Sequence, residues 1–234
     1  MEKSFCKTNL RTDEFEAIEQ GSQDWHAARL GCVTASRVAD VVAKTKSGYS
    51  AARQTYLGQL LSERLTGIPT ETFQNAAMRW GSEMEAFGVE AYEAVTGLET
   101  FQAGFLFHPN LAYAGASPDR LVAPDGLVEV KCPTTSTHIE TLLKGEVPER
   151  YQIQMQWQMA CTGRAWCDFV SFDPRLPEAY QLFIQRVPRD AERIIFLEQE
   201  VALFLEELEA KLDALEDLPG LLAHPSLIQS IAAV

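Results

Sequence analysis

The chain has 234 residues, 46% of them hydrophobic, and a formal net charge of −13. That length suits one domain with a full core, and that composition excludes a disordered chain. No apolar run approaches the roughly 20 residues needed to span a bilayer, and Met1 to Leu10 lack a signal-peptide core, so the expectation is a single cytoplasmic domain, with residues 1–14 a lead-in and 218–234 a tail. The acidic balance argues against broad nonspecific nucleic-acid binding. It is uneven, however: residues 190–217 hold ten acidic and two basic side chains, so a DNA groove can be locally positive under an acidic exterior. Five scattered cysteines (Cys6, Cys32, Cys132, Cys161, Cys167) form no Cys-x-x-Cys, and the four histidines have no paired ligand spacing, which argues against disulfides, zinc and iron–sulfur clusters.

In chain order, Gly21-Ser22-Gln23-Asp24 caps a short helix from Trp25 to Leu30 that Gly31 ends. Thr34-Ala35-Ser36 starts a second helix with Val38, Val41 and Val42 inward. Arg29, Thr34 and Ser36 meet at that start as either a plain cap or a phosphate cradle, since helix N-termini, hydroxyls and guanidinium groups all bind anions. Lys44 to Gly48 reads as a basic flexible loop, either solvated or touching phosphate. Residues 51–66 form a helix with Tyr56, Leu57, Leu60 and Leu61 inward. A longer helix over 74–96 carries Trp80, Met84, Phe87, Ala91 and Val95 as its apolar stripe. Among its acids, Glu85 is a candidate third active-site carboxylate, though spacing alone does not separate it from Glu83.

Residues 99–108 and 111–116 are strand-like. Next come two short apolar runs around Pro124-Asp125-Gly126, a β-hairpin signal. Asp119 stands at the start of its first strand, and Glu129 and Lys131 on the second. Side chains alternate across a strand, so Glu129 and Lys131 share one face while Val128 and Val130 share the other. Hairpin pairing then gathers two carboxylates and one lysine. Such a set is either an incidental surface salt bridge or a hard oxygen site for Mg²⁺, which lowers the pKa of bound water and offsets charge developing on phosphorus. A helix over 134–144 follows, with Cys132 a buried filler. The next helix, 149–161, presents Gln154 and Gln158 on one face, as a surface helix or as amide contacts to a catalytic water or DNA. Strands over 165–172 and 179–187 and a long acidic helix over 190–217, with Ile194, Leu197, Val201, Leu205 and Leu208 inward, complete the order. The fold class is therefore α/β (α+β), a central mixed β-sheet flanked by helices.

Ser117-Pro118-Asp119 followed by Leu127-Val128-Glu129-Val130-Lys131-Cys132-Pro133 resembles the lambda-exonuclease-like, YqaJ-type viral recombinases of the PD-(D/E)xK nuclease superfamily. The resemblance extends to Trp25-His26-Ala27-Ala28-Arg29-Leu30-Gly31-Cys32-Val33-Thr34-Ala35-Ser36, to Trp80-Gly81-Ser82-Glu83-Met84-Glu85, to the glutamine-rich helix and to Asp173-Pro174-Arg175, over about residues 15–210. It implies a restriction-endonuclease-like core in which Asp119, Glu129 and the Val130 carbonyl bind Mg²⁺. Glu85 would complete a second ion site, and Mn²⁺ would substitute. Lys131 would orient or activate the attacking water, with Gln154 near that water. Arg29, Thr34 and Ser36 match the pocket for the 5′-phosphate, and Met78 the wedge that splits the end base pair. The implied reaction is 5′-to-3′ exonuclease digestion of duplex DNA, releasing 5′-mononucleotides and leaving a 3′ single strand. The implied partners are DNA ends, two further copies in a homotrimeric ring, and a single-strand annealing protein, in a phage- or prophage-bearing bacterial cell. Competing readings are a nicking or structure-specific endonuclease and a non-catalytic DNA clamp. The resemblance does not cover the tail after about 210, and it departs in detail at loop 44–48.

Overall fold

A computed structural model describes residue 18 and residues 20–70 and 76–218. The lead-in over 1–14 and the tail from 219 on lie outside the described residues. Seven α-helices are described: α1 (Gln23–Arg29), α2 (Val38–Val42), α3 (Ala51–Thr66), α4 (Ala76–Thr96), α5 (Thr135–Lys144), α6 (Glu149–Thr162) and α7 (Ala191–Glu216). The described strands are β1 (Val33–Thr34), β2 (Lys44–Thr45), β3 (Gly48–Tyr49), β4 (Thr100–Gln102), β5 (Leu106–Phe107), β6 (Ala114–Ala116), β7 (Arg120–Val122), β8 (Gly126–Lys131), β9 (Trp166–Phe172) and β10 (Leu182–Pro188).

The main sheet runs β10-β9-β8-β7-β4 and is mixed, because β8 and β9 pair in parallel and the other neighbours are antiparallel. β1, β6 and β5 form a smaller sheet, so the run 99–108 is two short strands in different sheets rather than one. The parallel β8–β9 pair needs a crossover, and α5 and α6 supply it. The central strands are covered on both faces. Val122, Val128, Val130, Val170 and Phe172 pack under Val89 and Tyr92 of α4. On the other side, Leu127, Cys167 and Phe169 pack against Met155 and Met159 of α6. Burial of each such side chain contributes about 1.5–3 kcal/mol, which fixes β8 with Glu129 and Lys131 turned toward α6.

Three local readings change. The inner face of α4 is Gly88, Val89 and Tyr92, with Trp80 and Met84 half-buried, whereas Phe87 and Val95 are 52% and 69% exposed. A Cβ on Gly88 would stand 2.7 Å from Val130 Cγ1, so this glycine lets α4 lie close on β8. Gly126 is not a turn residue. The hairpin turns over Ala123-Pro124-Asp125, with Ala123 at φ 49°, and Gly126 pairs with Val122. Glycine is needed there because the Trp166 ring lies 2.2 Å from where a Cβ would sit. Finally, 44–49 is a small β2–β3 hairpin rather than a loose loop. Lys44 Nζ lies 2.7 Å from Glu200 Oε1, and the Tyr49 hydroxyl donates to Glu200 Oε2 at 2.9 Å, tying the hairpin to α7.

Candidate active site

Arg120 pairs with Val128 across the hairpin, which places Asp119 beside the end of β8. The Val130 main-chain N–H donates to Asp119 Oδ2 at 2.7 Å. Glu129 is fully buried and its carboxylate is held from three directions. Gln154 Nε2 donates to Oε1 at 2.5 Å, Gln158 Nε2 donates to Oε2 at 2.5 Å, and the Lys131 ammonium donates to Oε1. α6 is therefore not a surface helix. Its buried side chains run from Ile153 to Cys161, and its glutamine face meets the acid rather than solvent.

A second group closes the same cleft. Arg29, at the end of α1, stacks on the Trp25 ring with its guanidinium carbon 3.9 Å from the centroid. The Trp25 indole N–H donates to Ser117 Oγ at 3.0 Å, two residues before Asp119. Thr34 ends β1, and Ser36 lies in the single 3₁₀ turn, Ala35–Arg37, that precedes the five-residue α2. The Thr34 side chain makes no cap bond to that turn, so its hydroxyl is not consumed as a plain cap. The strand itself is braced from α3: the Tyr56 hydroxyl accepts from the Thr34 N–H at 3.1 Å and donates to the Cys32 carbonyl at 3.3 Å. Arg29, Thr34, Ser36, Asp119, Glu129, Lys131 and Gln154 all line one cleft of roughly 150 Å³.

Two carboxyls, Asp119 and Glu129, and two cations, Arg29 and Lys131, face each other in the cleft. Burial, with the charges of Glu129 and Glu85, pushes the Asp119 carboxyl well above its ordinary 3.8, against the opposing pull of Lys131 and the Val130 N–H. Glu85 is also raised, first by burial, with Lys131 and Arg120 pulling it back. Burial works against the Lys131 ammonium, yet Glu129 and Asp119 more than offset it and hold the group above its ordinary 10.5. Lys131 is thus a charged donor, suited to holding a water or a phosphoryl oxygen. Burial lowers Arg29 from 12.5. It also pushes the Cys132 thiol up to about 12, consistent with a filler rather than a nucleophile.

Asp119, Glu129, Lys131, Gln154, Arg29, Thr34 and Ser36 thus come together as the sequence suggests. Glu85 feels the charges of Lys131, Arg120 and Glu129 but is not among the side chains lining the cleft, and α4 covers the opposite, valine face of β8. No group of three or more His, Cys, Asp or Glu among the described residues is gathered tightly enough to form a metal cage. Two hard carboxylates, Asp119 and Glu129, in one cleft still suit Mg²⁺ or Mn²⁺, because Mg²⁺ keeps several waters and takes only one or two protein carboxylates. The Val130 side chain is buried under α4, so only its main chain reaches the site. Met78 is 48% exposed near the start of α4, outside the cleft lining. Ser117 and Trp25 also line the cleft, and the sequence signal for them is their position beside Asp119 and Arg29 in the two motifs. Sequence spacing puts Gln158 on the face of Gln154 but carries no sign of its contact with Glu129.

Comparison with known proteins follows the same lines. The YqaJ-like viral recombinase domain profile matches residues 24–165. The crystal structure of the alkaline exonuclease LHK-Exo from Laribacter hongkongensis is similar, at 50% identity and a TM-score of 0.78, over 83% of this chain and 96% of that one. The same enzyme in complex with dAMP matches to the same extent. A phage-related exonuclease from Haemophilus somnus shares the fold, at 15% identity and a TM-score of 0.62, over 79% of this chain and 96% of that one. Among curated proteins nothing matches.

Proposed function

The chain belongs to the YqaJ-like viral recombinase domain family and is a nuclease, and from that premise we propose a divalent-metal-dependent exonuclease that digests duplex DNA from a 5′ end. The observation that carries this reading is the sharing of one cleft by the Asp119–Glu129–Lys131 group and the Arg29–Thr34–Ser36 group. The second group suits a terminal phosphate and the first suits the phosphodiester next to it, so the protein would cut one nucleotide in from an end. The relative at 50% identity binds dAMP, a deoxynucleoside monophosphate, which is the class of product this arrangement would release.

Asp119 and Glu129, with the Val130 carbonyl and Glu85, would hold Mg²⁺ or Mn²⁺, with two ions as the full complement. When bound, the metal supplies a water of lowered pKa and neutralises charge on the phosphoryl oxygens. Arg29 pins the terminal phosphate through charge-assisted bonds, with Thr34 and Ser36 adding hydroxyl donors. The Lys131 ammonium orients the attacking water and stabilises the developing oxyanion charge. Gln154 fixes the Glu129 carboxylate from inside the cleft. Met78, exposed near the start of α4, would serve as the wedge against the end base pair. In this reading the enzyme works as a homotrimeric ring and hands its 3′ strand to a single-strand annealing protein in a bacterial cytoplasm. No described helix is long and apolar enough to cross a membrane.

The test uses linear duplexes labelled at one 5′ end, beside a closed supercoiled circle, with Mg²⁺ and with chelator. Early release of labelled mononucleotide from the linear DNA alone, abolished by chelator, supports the proposal. Nicking of the circle would replace it with an endonuclease, and binding without cleavage would replace it with a clamp.

A further inference from the structure

Gln154 and Gln158 both donate to Glu129, but they are not equivalent. Gln154 lines the cleft and binds Oε1, the same oxygen that Lys131 takes. Gln158 is fully buried, does not line the cleft, and binds Oε2 from behind. It is set among Met155, Trp157, Met159 and Cys161 on a helix whose neighbouring positions are buried and mostly apolar. Its other amide atom, Oε1, meets no donor among the described residues. A buried amide oxygen without a partner is unfavourable, and an apolar residue would fill this place without that cost. Rotating the amide to rescue Oε1 would turn oxygen against the Glu129 carboxylate. The orientation is therefore dictated by Glu129.

We propose that Gln158 is a positioning residue for the proposed reaction: it fixes the Glu129 carboxylate from the sealed side, so that Oε1 is presented to the cleft and to a divalent cation there. Gln158 touches neither DNA nor cation and acts only through Glu129, as the outer partners of metal ligands do. This rests on the metal-dependent reading above.

The experiment measures Mn²⁺ binding to the full chain without DNA, by paramagnetic resonance and calorimetry, in the parent, Gln158→Met, Gln158→Asn and Glu129→Gln. Methionine keeps the length of the side chain without its donor, and asparagine keeps the donor but falls one methylene short. Both Gln158 variants are expected to bind Mn²⁺ about 10- to 100-fold more weakly, with kcat lowered and KM for DNA ends unchanged. Parent-like Mn²⁺ affinity in a folded Gln158→Met or Gln158→Asn would overturn the inference, as would a lowered Tm with unchanged affinity, which marks a purely structural glutamine. Loss of binding in Glu129→Gln alone would leave the metal reading standing and remove only the role of Gln158. Unaltered binding in Glu129→Gln would instead remove the metal reading itself.

Discussion

The indole N–H of Trp25 reaches Ser117 Oγ at 3.0 Å while the face of the same ring carries the Arg29 guanidinium at 3.9 Å. One side chain thus joins the motif around Arg29 to the motif around Asp119, although the bonded residues lie 92 positions apart. The stacking aims a half-buried cation into the cleft and limits its rotamers.

Arg29→Ala is therefore expected to erode the preference for 5′-phosphorylated over 5′-hydroxyl ends by about 10- to 100-fold, in line with roughly 1.5–3 kcal/mol for hydrogen bonds to a charged group. Arg29→Lys should recover little of it, because an ammonium neither forks nor stacks as a guanidinium does. The measurement is the ratio of kcat/KM on the two kinds of end. A ratio of about one in the parent protein would remove the reason for the pocket.

Lys131→Ala removes an ammonium that is held charged by Glu129 and Asp119. The side chain is partly exposed and its loss opens no apolar cavity. Cleavage should fall at least about 10²- to 10³-fold, the scale for losing one preorganised donor to developing charge, while DNA binding and Tm in Mg²⁺ stay near those of the parent. Undiminished digestion by the purified variant would reject the assignment.

Two glycines make a matched pair. Gly88→Ala would press a methyl to 2.7 Å from Val130 Cγ1 and 3.4 Å from Phe172 Cβ, whereas an added Cβ at Gly58 meets nothing within 4 Å. Gly88→Ala should cost about 1–3 kcal/mol through overpacking, seen as a lower Tm, and should reduce kcat by displacing α4, which carries Glu85. Gly58→Ala lies within α3 and should stabilise by about 0.5–1 kcal/mol. A Gly88→Ala protein with the Tm and kcat of the parent would show that α4 need not sit this close to β8.

These sites also mark how much the sequence disclosed. The period-two pattern of Leu127 to Lys131 is enough to put the valines on one face of β8 and the charges on the other, because strand geometry admits only two faces; which helix covers each face is set by the fold. The same counting misplaced the stripe of α4. A hydrophobicity pattern gives Phe87 and Val95 full weight and Gly88 none, while close packing on β8 selects the smallest residue for the tightest contact. The amide clamp on Glu129 was not legible, since it joins residues 25 and 29 positions apart through a parallel crossover. Sequence spacing within α6 could show that Gln154 and Gln158 share a face, not what that face meets. The order of 44–48 is hidden from the sequence for a related reason: its partner, Glu200, is 156 positions away from Lys44 on α7.

Away from the cleft, His108 gives the fold a pH dependence of its own. Its side chain is sealed from solvent. Nδ1 accepts the N–H groups of both Asn110 and Leu111 at 3.2 Å, so this nitrogen carries no proton. Nε2 then holds the ring proton and donates to Glu198 Oε1 at 3.1 Å, and the ring stacks on Trp157 with centroids 5.0 Å apart. A second proton could enter only at Nδ1, against two main-chain donors. Burial lowers the pKa from 6.5, and Glu198 offsets only part of the effect. The sign follows from linkage: above pH 6.5 the ring is neutral in both states, and as pH falls below it the unfolded chain takes up a proton that the folded chain resists. Stability present at neutral pH is therefore lost as pH falls from about 6.5 through the depressed folded value. His108→Gln can still accept from the loop but does not titrate. It should melt lower than the parent at pH 8, and the gap between the two should narrow steadily from pH 6.5 to 5. Melting curves that stay parallel across that window would show that His108 does not contribute to the acid sensitivity.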